Sequence, residues 1–172
     1  MLYLLDANVL ITANHLYYPI DVVPEYWECL RHMARAGHAK IPVEVFEELR
    51  DGPDDAEVDL LYAWAQDAAN RAAILLQEEV DVALVQRVIL EGYAPDLTDD
   101  EVVKVGRDPF LIAYALASPG DRCVVTVEAS KPSRQRANRH VPDVCKSLGV
   151  TSQNPFEMNR ALGFKTRWKA AP

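Results

Sequence analysis

Leu2-Tyr3-Leu4-Leu5-Asp6-Ala7-Asn8-Val9-Leu10-Ile11 is the stretch that decides the fold. Its four leading residues are apolar without alternation, which reads as a short strand buried on both faces, as strands of parallel sheets are. The run then stops on an acid. A carboxylate at the C-terminal end of such a strand lies at the lip of the sheet, where open α/β folds bind their ligands. Asn8 follows at a turn-favouring position, and Val9, Leu10 and Ile11 resume the core. Taken alone, Asp6 and Asn8 could equally cap the next helix. The other acids decide between these readings.

Working outward, Arg122 to Val127 is the second core strand, and it ends on Glu128. Asn14 to Asp21 is irregular and aromatic. Pro24 opens a helix with Trp27, Leu30 and Ala34 on one face, and Gly37 closes it. His38 to Ile41 is a short strand stopped by Pro42. Val43 to Arg50 reads as a helix whose core residues are Val45, Phe46 and Leu49. On a helical wheel Glu48 lies roughly 105° from the centre of that face, with Glu44 and Glu47 about 145° and 155° away. Glu48 is thus the acid at the buried edge, and the other two point to solvent. Asp51 to Asp55 is a turn capping a long helix through about Trp64 to Ala69. Residues 79–91 give another helical pattern, with Val80, Leu84 and Val88 aligned. Thr98-Asp99-Asp100-Glu101 is a capping-box signal. In Asp108 to Leu116, the residues Leu111, Ile112, Ala115 and Leu116 line one face, and Asp108 before Pro109 has the form of an N-cap. Strand, helices, strand, with few hairpin signals, predicts an α/β fold on a parallel sheet. With no repeat, low-complexity tract or linker, residues 1–172 form one domain.

Composition narrows the class. The 172 residues are 49% hydrophobic and 26% charged, as in a soluble globular protein. No apolar run approaches the ~20 residues of a membrane span, and the N-terminus has no basic region and cleavage site. Cys29, Cys123 and Cys145 are too dispersed for a disulfide framework or a CxxC metal motif, and read as buried thiols in a reducing cytosol. The four histidines show no zinc-site spacing, and glycine-rich phosphate loops and GxSxG are absent. The net charge of −8 is unevenly spread: residues 131–172 hold nine lysines and arginines against two acids, a balance of +7, and residues 1–130 carry −15. Such asymmetry marks either a polyanion-binding face beside a carboxylate-rich one, or a solvated tail.

Two buried strands end on acids, Asp6 and Glu128; one helix opens on Asp108 and another presents Glu48 at its buried edge. A parallel sheet gathers strand C-termini and helix N-termini along one edge, so all four can converge. Carboxylates that close raise one another's pKa unless a cation sits between them. Hard oxygen donors suit Mg²⁺ or Mn²⁺, and the chemistry such a site supports is phosphodiester hydrolysis.

Leu5-Asp6-Ala7-Asn8-Val9-Leu10-Ile11, Glu48-Leu49, Asp108 to Ala115 and Val125-Thr126-Val127-Glu128 resemble, in order, the four acidic motifs of PIN domains. These are metal-dependent nucleases, many of them VapC-type toxins of toxin–antitoxin pairs. The resemblance is closer still to a PIN-like subfamily catalogued as a domain of unknown function. Tyr17-Tyr18-Pro19, Pro24-Glu25-Tyr26-Trp27, the Asp54/Asp55-to-Trp64 stretch and Val141-Pro142-Asp143-Val144-Cys145 look like its further signatures. The resemblance implies a three-layer fold and an endoribonuclease, with Asp6, Asp108 and Glu128 as metal ligands and Glu48 holding a second metal or a metal-bound water. It also implies that Asn8 and Thr126 orient those carboxylates, and that in-line attack leaves a 5′-phosphate and a 3′-hydroxyl. Glu128 departs from the aspartate common at that motif, and Ala129-Ser130 follows in place of a further acid.

Lys131, Arg134, Arg136 and Arg139 follow Glu128 directly and fall beside the acidic edge, where they suit an RNA backbone; Ser130 and Ser133 are available for the same contacts. The expected partners are RNA, an antitoxin protein, and a second copy joined through the helical region 56–91. Two rivals remain: a silent PIN-like module that binds RNA or protein, and a DNA nuclease or phosphatase using the same acids.

Overall fold

Leu4 and Leu5 are fully buried, and the strand they form is the hub of the sheet. The computed structural model describes residues 1–50 and 59–170. Strands β1 (Leu2–Leu5), β2 (Ala39–Lys40), β3 (Arg122–Val125) and β4 (Thr151–Gln153) are all parallel, in the order β2-β1-β3-β4. Leu5 lies opposite Val125, and Val125 opposite Gln153, so β1, β3 and β4 finish side by side. Backbone bonds carry this alignment one residue further, from Asp6 N–H to Val125 O at 2.9 Å and from Thr126 N–H to Gln153 O at 3.2 Å. From β1 the chain goes first to one side of the strand and then, through β3, to the other. The topological switch point therefore falls between the C-terminal ends of β1 and β3, directly beside Asp6 and Thr126.

The helices are α1 (Ala7–Thr12), α2 (Pro24–Arg35), α3 (Val43–Phe46), α4 (Leu60–Gln66), α5 (Ala68–Ile74), α6 (Val82–Arg87), α7 (Asp99–Val105), α8 (Asp108–Leu116), α9 (Val141–Ser147) and α10 (Pro155–Ala161). With right-handed crossovers, the β1-to-β2 and β2-to-β3 connections fall on opposite faces of the sheet, which gives a central sheet flanked by helices. On one side the turn after α10 packs Phe164 edge-on against Tyr26 of α2, centroids 5.4 Å apart. On the other, α8 lies on β1 and β3.

Several elements differ from the sequence reading, each for a local reason. α1 runs on into a π-helical turn, Ala13–Tyr17, where an irregular stretch is expected. The long helix expected through Trp64 breaks at Asp67, whose carboxylate leaves α4 and caps α5 by accepting from Asn70 N–H at 2.8 Å. The preceding turn, Asp51 to Asp55, lies outside the described residues. The pattern at 79–91 starts later, because Asp81 caps α6, and it ends in a second π-helical turn, Val88–Tyr93. Over residues 59–93 the helical region is thus divided among α4, α5, α6 and this π-helical turn. Residues Leu111 to Leu116 of α8 are all buried, so this helix is central and has no wet face. β4 and α10 are elements that the sequence reading does not predict. Cys29, Cys123 and Cys145 are buried and free, and no helix among the described residues is long and apolar enough to cross a membrane.

Candidate active site

Asp6 sits where β1 meets α1, 5% exposed, and caps the helix by accepting from Asn8 N–H at 3.4 Å. Capping is a small part of its bonding. Asn8 Nδ2–H donates to Asp6 Oδ2 at 2.5 Å, and the Thr126 hydroxyl donates to the same oxygen at 2.8 Å. Asn8 also ties the two strand ends together: its Oδ1 accepts from Val127 N–H at 3.2 Å. Asn8 and Thr126 thus hold the Asp6 carboxylate in one orientation. β3 itself stops at Val125, one residue before Thr126, so Glu128 stands on the loop beyond the strand and not on its end.

Asp108 is the first residue of α8, and the N-cap position belongs to Arg107, which makes no side-chain cap bond. The N-cap reading of Asp108 is therefore set aside. Its Oδ2 instead accepts from the Tyr93 hydroxyl at 3.3 Å. Burial pushes Asp108 up to about 8, reinforced by the charges of Asp6, Glu128 and Glu48 and opposed by the Tyr93 hydrogen bond. Burial likewise pushes Asp6 up to about 6, against the hydrogen bonds from Thr126 and Asn8, with Glu128 adding to the rise. Asp6, Glu128 and Glu48 all bear on Asp108, and Glu128 bears on Asp6 as well. The Tyr93 phenol is itself pushed up by burial and by Asp108.

Glu128 is partly committed within the fold. Its Oε2 accepts from Val141 N–H at 2.8 Å, at the start of α9, and lies 3.8 Å from His140 Nδ1. Glu48 is half-buried, as the wheel predicts, but Glu44 does not point to solvent: it is half-buried, and its Oε2 has no solvent exposure. The reason is that α3 ends at Phe46 and tightens into a 3₁₀ turn, Glu47–Arg50, which shifts every angular position. Glu47 is exposed and lies 3.6 Å from Arg107.

The basic segment is only partly available. Arg136 lies 2.7 Å from both Asp96 and Glu101, and Arg139 donates to the carbonyls of Gly92 and Asp143. Arg136 ties the loop to α7 and to Asp96 before it, and Arg139 ties it to the π-helical turn and to α9, so both guanidinium groups named for phosphate contacts already have partners within the fold. Lys131 and Arg134 remain exposed. Asp143 shapes the start of this loop: it accepts from the Ser130 hydroxyl at 2.5 Å and from Lys131 N–H at 2.7 Å. Ser130 is therefore engaged with the protein. Tyr93 and Asp143 are the site residues that the sequence reading did not single out as such; neither lies at a spacing that links it to the acids.

A divalent cation fits these residues by the chemistry of its donors. Four carboxylates offer hard oxygens, and burial, reinforced by the three other acids, raises Asp108 to about 8, a situation a cation relieves. No group of three or more His, Cys, Asp or Glu among the described residues is already gathered into a metal-holding cluster. The fit is thus one of charge and donor type. No curated protein and no solved structure matches the chain. A family model described as a domain of unknown function (DUF4411) matches residues 3–166, almost the whole length, and the chain belongs to that family.

Proposed function

We propose that this protein is a divalent-cation-dependent endoribonuclease. The observation that carries the reading is the convergence of acids at the switch point, where Asp6, Glu48 and Glu128 all act on a buried Asp108 and burial raises both Asp108 and Asp6. Asp6, Asp108 and Glu128 would hold Mg²⁺ or Mn²⁺, with Glu48 at the edge for a second ion or for the attacking water. Bound there, the ion supplies charge neutralisation, a polarised phosphodiester and a water acidic enough to attack near neutral pH. Asn8 and Thr126 keep Asp6 aimed, and Tyr93 fixes one oxygen of Asp108. Lys131 and Arg134, exposed just past Glu128, take the flanking phosphates.

The PIN and VapC-type resemblance supports RNA over DNA and a toxin held by an antitoxin; the toxin role rests on that resemblance alone. Free, buried cysteines support a cytoplasmic setting. The test is cleavage of a mixed panel (transfer RNA, ribosomal RNA, unstructured RNA, DNA) with Mg²⁺, Mn²⁺ or chelator, comparing wild type with Asp6→Ala. Cation-dependent RNA cleavage lost in Asp6→Ala is the expected result. Equal cleavage by both proteins would remove Asp6 from the mechanism.

A second reading, a non-cleaving RNA- or protein-binding module, is favoured by the commitment of Glu128 to Val141 N–H. RNA binding without cleavage, unchanged by Asp6→Ala, would select it.

A further inference from the structure

At the opposite edge of the sheet from the acids, the second half of α2 and the last turn, Trp168–Ala170, enclose a groove of about 140 Å³ lined by Glu28, Arg31, His32, Arg35, Trp168 and Lys169. Its placement follows from topology, since Arg35 leads through Gly37 into the N-terminal end of β2, and β2 is parallel to the strand that ends at Asp6. In a chain of net charge −8, this groove collects three fixed cations against one carboxylate.

Three features give it the character of a built site. Trp168 Nε1 is buried without a hydrogen-bond partner among the described residues. An indole N–H can only donate, so whatever satisfies it must be an acceptor. The ring is held in place, 4.9 Å from that of His32 and with Lys169 Nζ 5.6 Å from its centroid. Arg31 is held from behind: its Nη1 donates to Asn70 Oδ1 at 3.2 Å, and Asn70, itself buried, donates to Trp64 O at 3.0 Å. Glu28 is engaged with Lys169 at 2.5 Å, which leaves the two arginines to face an incoming group.

We infer that this groove binds a phosphate group. A phosphate brings several oxygens at tetrahedral angles, enough to accept from an indole N–H and two guanidinium forks at once, and carries charge to match the excess. The phosphate is either free or the terminal group of a nucleic-acid strand. The inference is independent of the nuclease reading, because none of its residues belongs to the carboxylate edge.

The test follows the Trp168 indole N–H by NMR in the full-length protein, with Trp168→Phe identifying the signal. Inorganic phosphate should displace it saturably, and chloride at matched ionic strength should not. The double variant Arg31→Ala/Arg35→Ala should weaken binding by roughly tenfold or more, the loss of at least one charge-assisted hydrogen bond. Glu28→Gln, which releases Lys169 and removes the opposing charge, should tighten it. An oligonucleotide with a 5′-phosphate that acts at lower concentration than inorganic phosphate, while its unphosphorylated form does not, identifies a strand terminus; equal potency identifies the free ion. No displacement by phosphate, or equal displacement by chloride, overturns the inference. So does a double variant that melts like wild type and still binds as tightly.

Discussion

Glu101 and Asp108 both lie in the first turns of neighbouring helices, α7 and α8, and their surroundings drive them in opposite directions. Glu101 is gripped by Arg136 and by the Thr98 backbone, which together hold it down to about 2. Asp108 is buried among Asp6, Glu128 and Glu48 and rises to about 8. At the first position the chain supplies its own counter-charge, to fasten the 136 loop to α7. At the second it gathers like charges and orients them, and this works against the fold. A fold retains such an arrangement most readily where the opposite charge arrives from outside, and that contrast supports the cation reading.

The largest expected effect breaks the second half of the contrast. Asp108→Asn keeps the shape and the partner for Tyr93 while deleting the repelled charge. RNA cleavage should fall by about a hundredfold or more. In chelator the same variant should melt higher than wild type above pH 8, where Asp108 would otherwise be ionised. An active variant, or one that melts lower there, would break the comparison.

Next in size is the pH dependence of stability in chelator. The folded pKa of Asp108 lies above its ordinary 3.8, so the folded form binds the extra proton and stability falls as pH rises from about 3.8 to about 8. Asp6 adds to the fall between 3.8 and about 6. Glu101 has the opposite sign: its contribution is present above 4.5 and is lost as pH drops toward 2. Thermal melts should show that the loss of stability toward alkaline pH shrinks in Asp108→Asn and with saturating Mg²⁺. A slope untouched by both would mean that these acids do not face one another.

A smaller effect probes the cation side. Arg136 adopts φ 54°, a conformation that favours glycine. Arg136→Ala loses the ion pairs and keeps the strain; Arg136→Gly loses the pairs and relieves it. Both should melt below wild type, with the glycine variant above the alanine variant by about 1 kcal/mol. An alanine variant as stable as wild type would show that the pairs with Asp96 and Glu101 contribute nothing.

The sequence makes most of the sheet edge legible, because short-range signals decide it. An unbroken apolar run marks β1 and fixes Asp6 at its end, and Thr98 to Glu101 spells out the cap of α7. What stays hidden depends on distance along the chain. A charge count sees nine cations after residue 130, but not that Arg136 meets Glu101 across 35 residues. Asn154-Pro155-Phe156-Glu157 has the same cap spacing as Thr98–Glu101, yet it stands behind a three-residue strand too short to show a period. Glu44 escaped because the wheel assumes one helix where the chain changes pitch. Gly92 shows the same limit in packing: a Cβ there would meet Val144 Cγ1 at 2.7 Å, so any larger residue would push the π-helical turn or the Val144 side chain of α9 aside.

The smallest effect is the sharpest, since it alters the hydrogen bond that opposes the elevation of Asp108. Tyr93 reaches that carboxylate from a π-helical turn, through a hydroxyl 3.3 Å from Oδ2. Tyr93→Phe preserves the ring in a buried position and deletes the donor, at a cost below about 1 kcal/mol for so long a bond. Because that bond holds Asp108 down against burial and three acids, its loss should move the alkaline end of the stability window upward by less than about one pH unit. Cleavage should slow a few-fold, and saturating Mn²⁺ should recover most of it, since a cation replaces the missing counterpoise. An unchanged window would mean that the phenol contributes only packing, and that burial and the other three acids alone set the protonation of Asp108.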